Sequence, residues 1–176
     1  IDGVSYPAAS RDDLTDQLPS LKKKFLEYHQ YADATIDDMF TKEQMNGAGI
    51  LKAEIMQTVY LENQGGKGFA MHALPAEAQL SPVYGIAVID ADHDGKKDVL
   101  LAGNNTWTRI RFGRYSANHG VLLHGDGKGN YTYVPQTKSG LQIRGNLRSL
   151  QTMKTGKGVQ VIAGMNNAPA VIIQSK

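Results

Sequence analysis

The chain has no cysteine. That excludes a disulfide framework and a zinc site built on thiolates. Aromatic residues are sparse, with one tryptophan among 176 residues. No apolar run reaches the length of a membrane-spanning helix, and no segment has the pattern of a signal peptide. Neither sign of charge dominates: 19 Lys and Arg stand against 17 Asp and Glu, a net charge of +2. Such a balance gives no general pull toward nucleic acid or toward membrane insertion. Gly-x-Ser-x-Gly, His-Glu-x-x-His and a cysteine nucleophile are all missing, so the usual signs of hydrolytic chemistry are absent. What remains is enough chain for one domain with a real core. The lack of cysteine is compatible with an exported bacterial protein. Residues 1–7 contain no initiator Met, and we expect a piece of a longer chain.

The most informative stretch is Asp90-Ala91-Asp92-His93-Asp94-Gly95-Lys96-Lys97-Asp98. Carboxylates stand at positions 1, 3, 5 and 9, with glycine at position 6. Calcium takes six to eight oxygens at about 2.3–2.6 Å, and alternating carboxylates on a turning backbone converge on one point. Glycine allows the sharp bend. Four carboxylates this close repel one another without a cation. Asp90, Asp92, Asp94 and Asp98 are the expected side-chain ligands, and Lys96 offers its carbonyl oxygen by position. An EF-hand is excluded because position 12 is Leu101, where that motif needs a bidentate glutamate. The flanks, near 83–89 and 99–102, are short, apolar and rich in β-branched residues, which predicts strands. An acidic hairpin turn with no metal is the competing reading.

The sequence also resembles itself. Leu61-Glu62-Asn63-Gln64-Gly65-Gly66-Lys67-Gly68-Phe69 resembles Leu123-His124-Gly125-Asp126-Gly127-Lys128-Gly129-Asn130-Tyr131, with Leu61 laid on Leu123. Leu100-Leu101-Ala102-Gly103 resembles Val161-Ile162-Ala163-Gly164, with Leu100 laid on Val161. The two offsets agree to within one position. Carried forward by the second of them, the acidic loop falls on Gln151, Met153, Thr155 and Val159, with Gly95 on Gly156. The second copy is therefore expected to keep the hairpin and lose the ion. A period near 60 made of four short strands points to propeller-type blades.

The Asp-x-Asp-x-Asp-Gly-x-x-Asp loop between strands, followed by the glycine-rich turn and Tyr131, resembles an FG-GAP/VCBS repeat. These are the blades of integrin-α-like β-propellers. A looser resemblance, carried by residues 11–14, 18–25 and 74–79, is to large exported bacterial proteins with FG-GAP and ASPIC/UnbV-type domains. The resemblance implies a mainly β fold of antiparallel four-stranded blades, with an N-terminal helical insertion. The complete blade is expected over about 82–135, with strands near 83–89, 98–103, 119–124 and 131–135. Half a blade precedes it, over 51–62 and 69–74. Three strands follow, near 145–151, 159–164 and 169–174. This is a partial propeller that does not close on itself, with an unpaired sheet edge that invites self-association.

The first third of the chain differs from the rest. Residues 1–10 read as a partial strand or loop, 11–48 as the helical insertion and 49–176 as blades. Leu14, Leu18, Leu21, Phe25 and Tyr28 recur at steps of three and four and predict one apolar stripe. Pro19 divides two helices. A further helix is expected over 31–40, and Thr41 to Gln44 has the form of a capping box. The stripe needs an apolar surface, and a strand over 50–61 is the first candidate. Lys22, Lys23 and Lys24 suit an anionic partner or, more plainly, a solvated helix face.

Few other residues suggest chemistry. His72, His119 and His124 are separated and fall at strand edges, while His93 is an outward-pointing position of the acidic loop. Gly125 to Gly129 looks like a phosphate loop, but a strand follows it where a helix N-terminus is needed. Trp107, Arg109, Arg111 and Tyr115 form the best small-ligand candidate, because interleaved arginine and aromatic rings stack on sugars or single strands. On a strand Arg109 and Arg111 share a face; a plain inter-strand loop is the alternative. No catalytic residues are assigned. The expected function is a non-catalytic, calcium-stabilised binding or scaffold module of a larger exported, cell-surface or periplasmic protein. Its loops meet protein or carbohydrate, without nucleic acid or membrane insertion. A purely structural segment that completes a propeller, joined to the rest of a parent chain, is the first alternative, and an accessory domain of a hydrolase is the second.

Overall fold

The computed structural model describes residues 3–156 and 158–174. Their contacts divide at residues 54 and 55 into two compact units. The fold is mainly β, with three antiparallel sheets and a few short helices.

In the N-terminal unit, residues 3–10 carry no strand. Helix α1 (Arg11–Gln17) begins at Ser10, whose side chain accepts from the Asp13 amide. Pro19 opens a 3-10 turn (Pro19–Lys23), as a residue with no amide hydrogen suits a first turn. Leu14, Leu21 and Phe25 of the predicted stripe turn inward and meet Ala34, Met39, Tyr31 and Ile36. Leu18 and Tyr28 do not, being 39% and 66% exposed. The stripe fails there because the chain leaves helical geometry at Leu18 and again before Tyr28. The helix expected over 31–40 is two pieces, α2 (Tyr28–Ala32) and α3 (Ile36–Met39). Thr35 interrupts them by taking the cap of α3, accepting from the Asp38 amide. The capping box at Thr41 and Gln44 is present and opens α4 (Lys42–Met45). Lys22, Lys23 and Lys24 are exposed. The strand expected from residue 50 begins only at Val59. Before it, Ile50, Leu51, Ile55 and Met56 are exposed. The apolar stripe is covered within its own unit, by α2 and α3.

The described residues of the second unit hold nine strands. β1 (Val59–Asn63) and β2 (Phe69–Ala73) form a hairpin. β3 (Val83–Ile89), β4 (Asp98–Gly103), β5 (Val121–Gly125) and β6 (Tyr131–Val134) form a four-stranded meander. β7 (Leu147–Thr155), β8 (Gly158–Met165) and β9 (Val171–Gln174) form a three-stranded one. A short helix α5 (Gln136–Ser139) lies between the last two sheets in sequence. The β1–β2 hairpin closes on the pair Asn63 and Phe69, and the β5–β6 hairpin closes on Gly125 and Tyr131. Both pairs span the same glycine-rich turn, at the two places where the sequence resembles itself. β3–β4 and β7–β8 also share an irregularity near the start of their first strand, at Val83/Gly85 and at Leu147/Ser149.

β4 is buried on both faces, which explains its unbroken apolar run. Leu100 and Ala102 point to one side and join Ala87, Leu147, Leu150, Val161 and Ala163 in the main core. Leu101 points to the other side, where it meets Ala78, Val121 and Leu123. The close approach of β3 to β7 requires glycine at position 85. A Cβ there meets Leu147 Cδ2 at 2.6 Å and Leu150 Cγ at 2.9 Å.

The second copy keeps the hairpin, with a first strand longer than the expected 145–151. β7 continues through Gln151 and Met153 to Thr155, just short of Gly158 where β8 begins. Where the first hairpin opens into a loop, the second extends both strands, because no carboxylates oppose pairing there.

Candidate metal centre

The loop between β3 and β4 is built from side chain to backbone hydrogen bonds. Asp90 Oδ2 accepts from the Gly95 amide at 3.1 Å. Asp92 Oδ1 accepts from the Asp94 amide at 3.2 Å, and Asp94 Oδ1 accepts from the Lys96 amide at 2.8 Å. These two are Asx turns, the local bonding that aspartate offers in place of regular structure. His93 and Gly95 both adopt positive φ, 63° and 82°, so the backbone reverses twice within the loop. His93 is exposed, as expected for its outward position.

Asp98 anchors the loop. It opens β4, is 1% exposed, and uses both carboxylate oxygens. Oδ2 accepts from the Ala91 amide and Oδ1 from the Gly125 amide, each at 2.9 Å. One side chain thereby ties the start of the acidic loop to the end of β5.

Each of Asp90, Asp92 and Asp94 has one oxygen held by a backbone amide, which aims the other oxygen. Oxygens of Asp90, Asp92 and Asp98 lie within 4.8 Å of one another, and so do ligand atoms of Asp92, Asp94 and His124. Asp90 Oδ1 is shielded from solvent and has no hydrogen-bond donor among the described residues. An acceptor in that state lacks the partner that buried oxygens ordinarily have. The group of Asp90, Asp92 and Asp98 is all-oxygen and includes an unpartnered buried oxygen, which suits a hard divalent cation such as calcium, while Asp94 groups with Asp92 and His124 instead of with Asp90 and Asp98.

Two features of the loop were not read from the sequence. The first is His124. β4 and β5 pair Val99 with Leu123, so the next position outward sets His124 beside Asp98. Its Nδ1 lies 3.2 Å from Asp98 Oδ1 and 3.4 Å from Asp92 Oδ2, and its Nε2 lies 4.0 Å from Asp94 Oδ2. Strand register was the signal that could have found it. The second is the Lys96 ammonium, which donates to Asp94 Oδ2 at 2.7 Å. That hydrogen bond, with the charge behind it, holds the Asp94 carboxyl below its ordinary pKa and the Lys96 ammonium above its own. Lys96 thus enters the site through its side chain as well as its backbone.

The histidines do not assemble as a set. His72 pairs with Glu62 at 3.0 Å on the first hairpin, and His119 lies at the other end of β5 from His124. The ligand candidate around Trp107 is also rearranged. Residues 104–120 form a long connection, with a backbone bridge between Asn105 and Tyr115 and a 3-10 turn over Ile110–Phe112. Arg109 and Arg111 therefore do not share a strand face: Arg109 caps the turn and Arg111 lies in it, its guanidinium 4.7 Å from the Phe112 ring centre. Trp107, Arg109, Arg111 and Tyr115 are all exposed on this connection. Thr108 Oγ1 and the Gly113 carbonyl close its tip.

Residues 126–130 form a turn between β5 and β6, with Asp126 Oδ1 accepting from the Lys128 and Asn130 amides. The Asp126 carboxylate thus takes turn amides that an anion loop would offer to a phosphate. No helix of the described residues is long and apolar enough to cross a membrane. Comparisons of the chain with models of protein families, with curated proteins and with solved structures return no match.

Proposed function

We propose that the chain is a non-catalytic binding or scaffold module whose β3–β4 loop is stiffened by calcium, in the manner of an FG-GAP/VCBS blade. The observation that carries this reading is Asp90 Oδ1, an inward carboxylate oxygen shielded from solvent, with no donor among the described residues. Asp90, Asp92, Asp94 and Asp98 would hold the ion, with Lys96 contributing through its backbone. His124 stands close enough to add a nitrogen. Calcium supplies neutralisation of the clustered carboxylates. The protein's part is to pre-orient them by the amides of Gly95, Asp94, Lys96, Ala91 and Gly125. Because the unfolded chain lacks this arrangement, the free energy of binding becomes free energy of folding. The module would belong to an exported or cell-surface protein and present its loops to protein or carbohydrate.

Calorimetric titration with calcium and then magnesium tests the reading. Calcium heat that disappears in Asp90→Asn supports it. Heat of equal size in that variant, or none in the native chain, contradicts it.

A second reading is favoured by the strand count. Four strands pair in the β3–β6 sheet, against three in β7–β9 and two in β1–β2. A segment that completes a partial propeller within a longer chain would leave the edges of β1 and β9 for strands from elsewhere. Tight association with the rest of a parent chain, without any separate ligand, distinguishes it.

A further inference from the structure

The near-neutral total hides a strong asymmetry. Residues 1–98 hold nine Lys and Arg against sixteen acidic residues, whereas residues 99–176 hold ten against one, Asp126. Ten of the sixteen acidic residues lie in residues 1–54, the N-terminal unit. The acidic loop joins β3 to β4 at one end of β4, and Asp126 lies in the turn that follows β5 at that same end. At the opposite end, the connections 104–120 and 135–146 hold five Lys and Arg and no acidic residue, and 166–170 is uncharged; the fourth connection there, residues 74–82, carries Glu77.

These connections are bound into one surface. Asn104, 1% exposed, donates from Nδ2 to the Asn118 carbonyl at 2.7 Å and to the Gly145 carbonyl at 3.0 Å. The Ile143 amide donates to the His119 carbonyl at 2.9 Å, and the Asn166 amide to the Asn146 carbonyl at 2.8 Å. The Thr106 amide donates to Asn146 Oδ1 at 3.1 Å. On this base stands the exposed connection with Arg109, Arg111 and Arg114, where Trp107 is 77% and Tyr115 44% exposed. Beside it lies a cleft of about 130 Å³ lined by His119, Gln136, Gln142 and Arg144.

We infer that this end of the sheets binds an acidic polysaccharide, one whose sugar rings carry carboxylates. The inference deepens the binding-module reading and rests on it for the class of function, but it does not need the cation. Arginine forks match carboxylates in bidentate geometry. The indole and phenol rings give faces for sugar C–H groups, and two neutral amides beside Arg144 match a ring that carries hydroxyls as well as a charge. A bilayer fits less well. Ile110 is 100% exposed at the tip, yet Arg109 and Arg111 flank it, and burying it in hydrocarbon would take two guanidiniums along. Single-stranded nucleic acid fits less well too, since it calls for a groove that tracks several nucleotides, and the patch is one connection and one small cleft.

The test is binding of the whole chain to polygalacturonate and to uncharged dextran. It is run in chelator, at a temperature where circular dichroism shows the protein folded, so that no calcium bridges the polymer to the aspartate loop. We expect salt-sensitive binding to polygalacturonate and none to dextran. Trp107→Ala and Arg144→Glu, both at exposed positions, should each weaken it by about ten-fold or more with no change in Tm. Absence of binding, equal binding to dextran, or binding that survives both substitutions overturns the inference. So does tighter binding to single-stranded DNA or to phosphatidylserine vesicles. Each of those results leaves the calcium reading intact, because that reading is scored on calcium heat and on Tm.

Discussion

His124 Nδ1 lies 3.2 Å from Asp98 Oδ1, the same oxygen that accepts the Gly125 amide. An imidazole from β5 and a carboxylate from β4 thus meet at the base of the acidic loop. Asp98 therefore supports the loop from outside as well as belonging to it. Its removal should cost more than removal of an exposed ligand. Asp98→Ala strands two backbone amides, and unpaired buried groups cost about 1–3 kcal/mol each. Asp92→Ala loses one exposed Asx bond. In chelator, denaturant titration should show Asp98→Ala losing at least about 1–3 kcal/mol, with Asp92→Ala near the native value. Equal losses would mean that Asp98 is only a loop carboxylate.

The pair formed by Asp94 and Lys96 has a defined pH signature. Asp94 has a lowered pKa in the folded protein, through its hydrogen bonds from Lys96. Its contribution is present above the ordinary carboxylate pKa and is lost as pH falls through the lower folded value. Lys96 is shifted upward by the same contact. Its contribution is complete below the ordinary lysine pKa and is lost as pH rises through the higher folded value. Lys96→Met should therefore flatten the stability profile at both extremes in chelator. A profile identical to that of the native chain would show that the pair carries no linkage.

The packing of β3 on β7 should be intolerant of change. Gly85 faces Leu147 and Leu150, and Leu147 is 0% exposed. Leu147→Ala removes buried side-chain volume and should cost about 2–5 kcal/mol. Gly85→Val places branched carbon where no space exists and should prevent cooperative unfolding of the native type. A calorimetric trace for Gly85→Val that matches the native one would contradict this placement of the sheets.

Residues 50–57 are exposed and lie outside any helix or strand. Exposed backbone without ladder bonds is where proteases cut first. Trypsin should cleave after Lys52 and release a C-terminal fragment that keeps its β circular dichroism. Rapid loss of that fragment would mean that the second unit does not stand by itself.

Strand positions in the second unit were legible because each apolar run is short and bounded by glycine-rich turns. The acidic loop was legible because aspartate spacing is local. Three parts were not legible, for physical reasons. His124 joins the loop through register between β4 and β5, and the whole of the long 104–120 connection separates it from Asp98 in the chain. The stripe at Leu18 and Tyr28 has helical spacing, but the chain turns at both points, and spacing alone does not report where a helix ends. The apolar residues at 50–56 likewise resembled a strand, yet without a pairing partner they stay exposed. The run of cations without carboxylates over residues 104–120 and 135–146 was also present in the sequence, masked by a net charge that averages over it.

The most direct test is differential scanning calorimetry of the native chain in chelator and in calcium at about 10 mM. Affinity in the extracellular range, with Kd about 10⁻⁴–10⁻³ M, predicts about 1.4–2.7 kcal/mol of added stability at that concentration. For a unit of this size that raises Tm by about 4–10 °C. Asp90→Asn should abolish most of the rise. A Tm that is the same in calcium and in chelator would contradict the account at its centre, leaving the aspartates as an acidic hairpin bend held by its own amides.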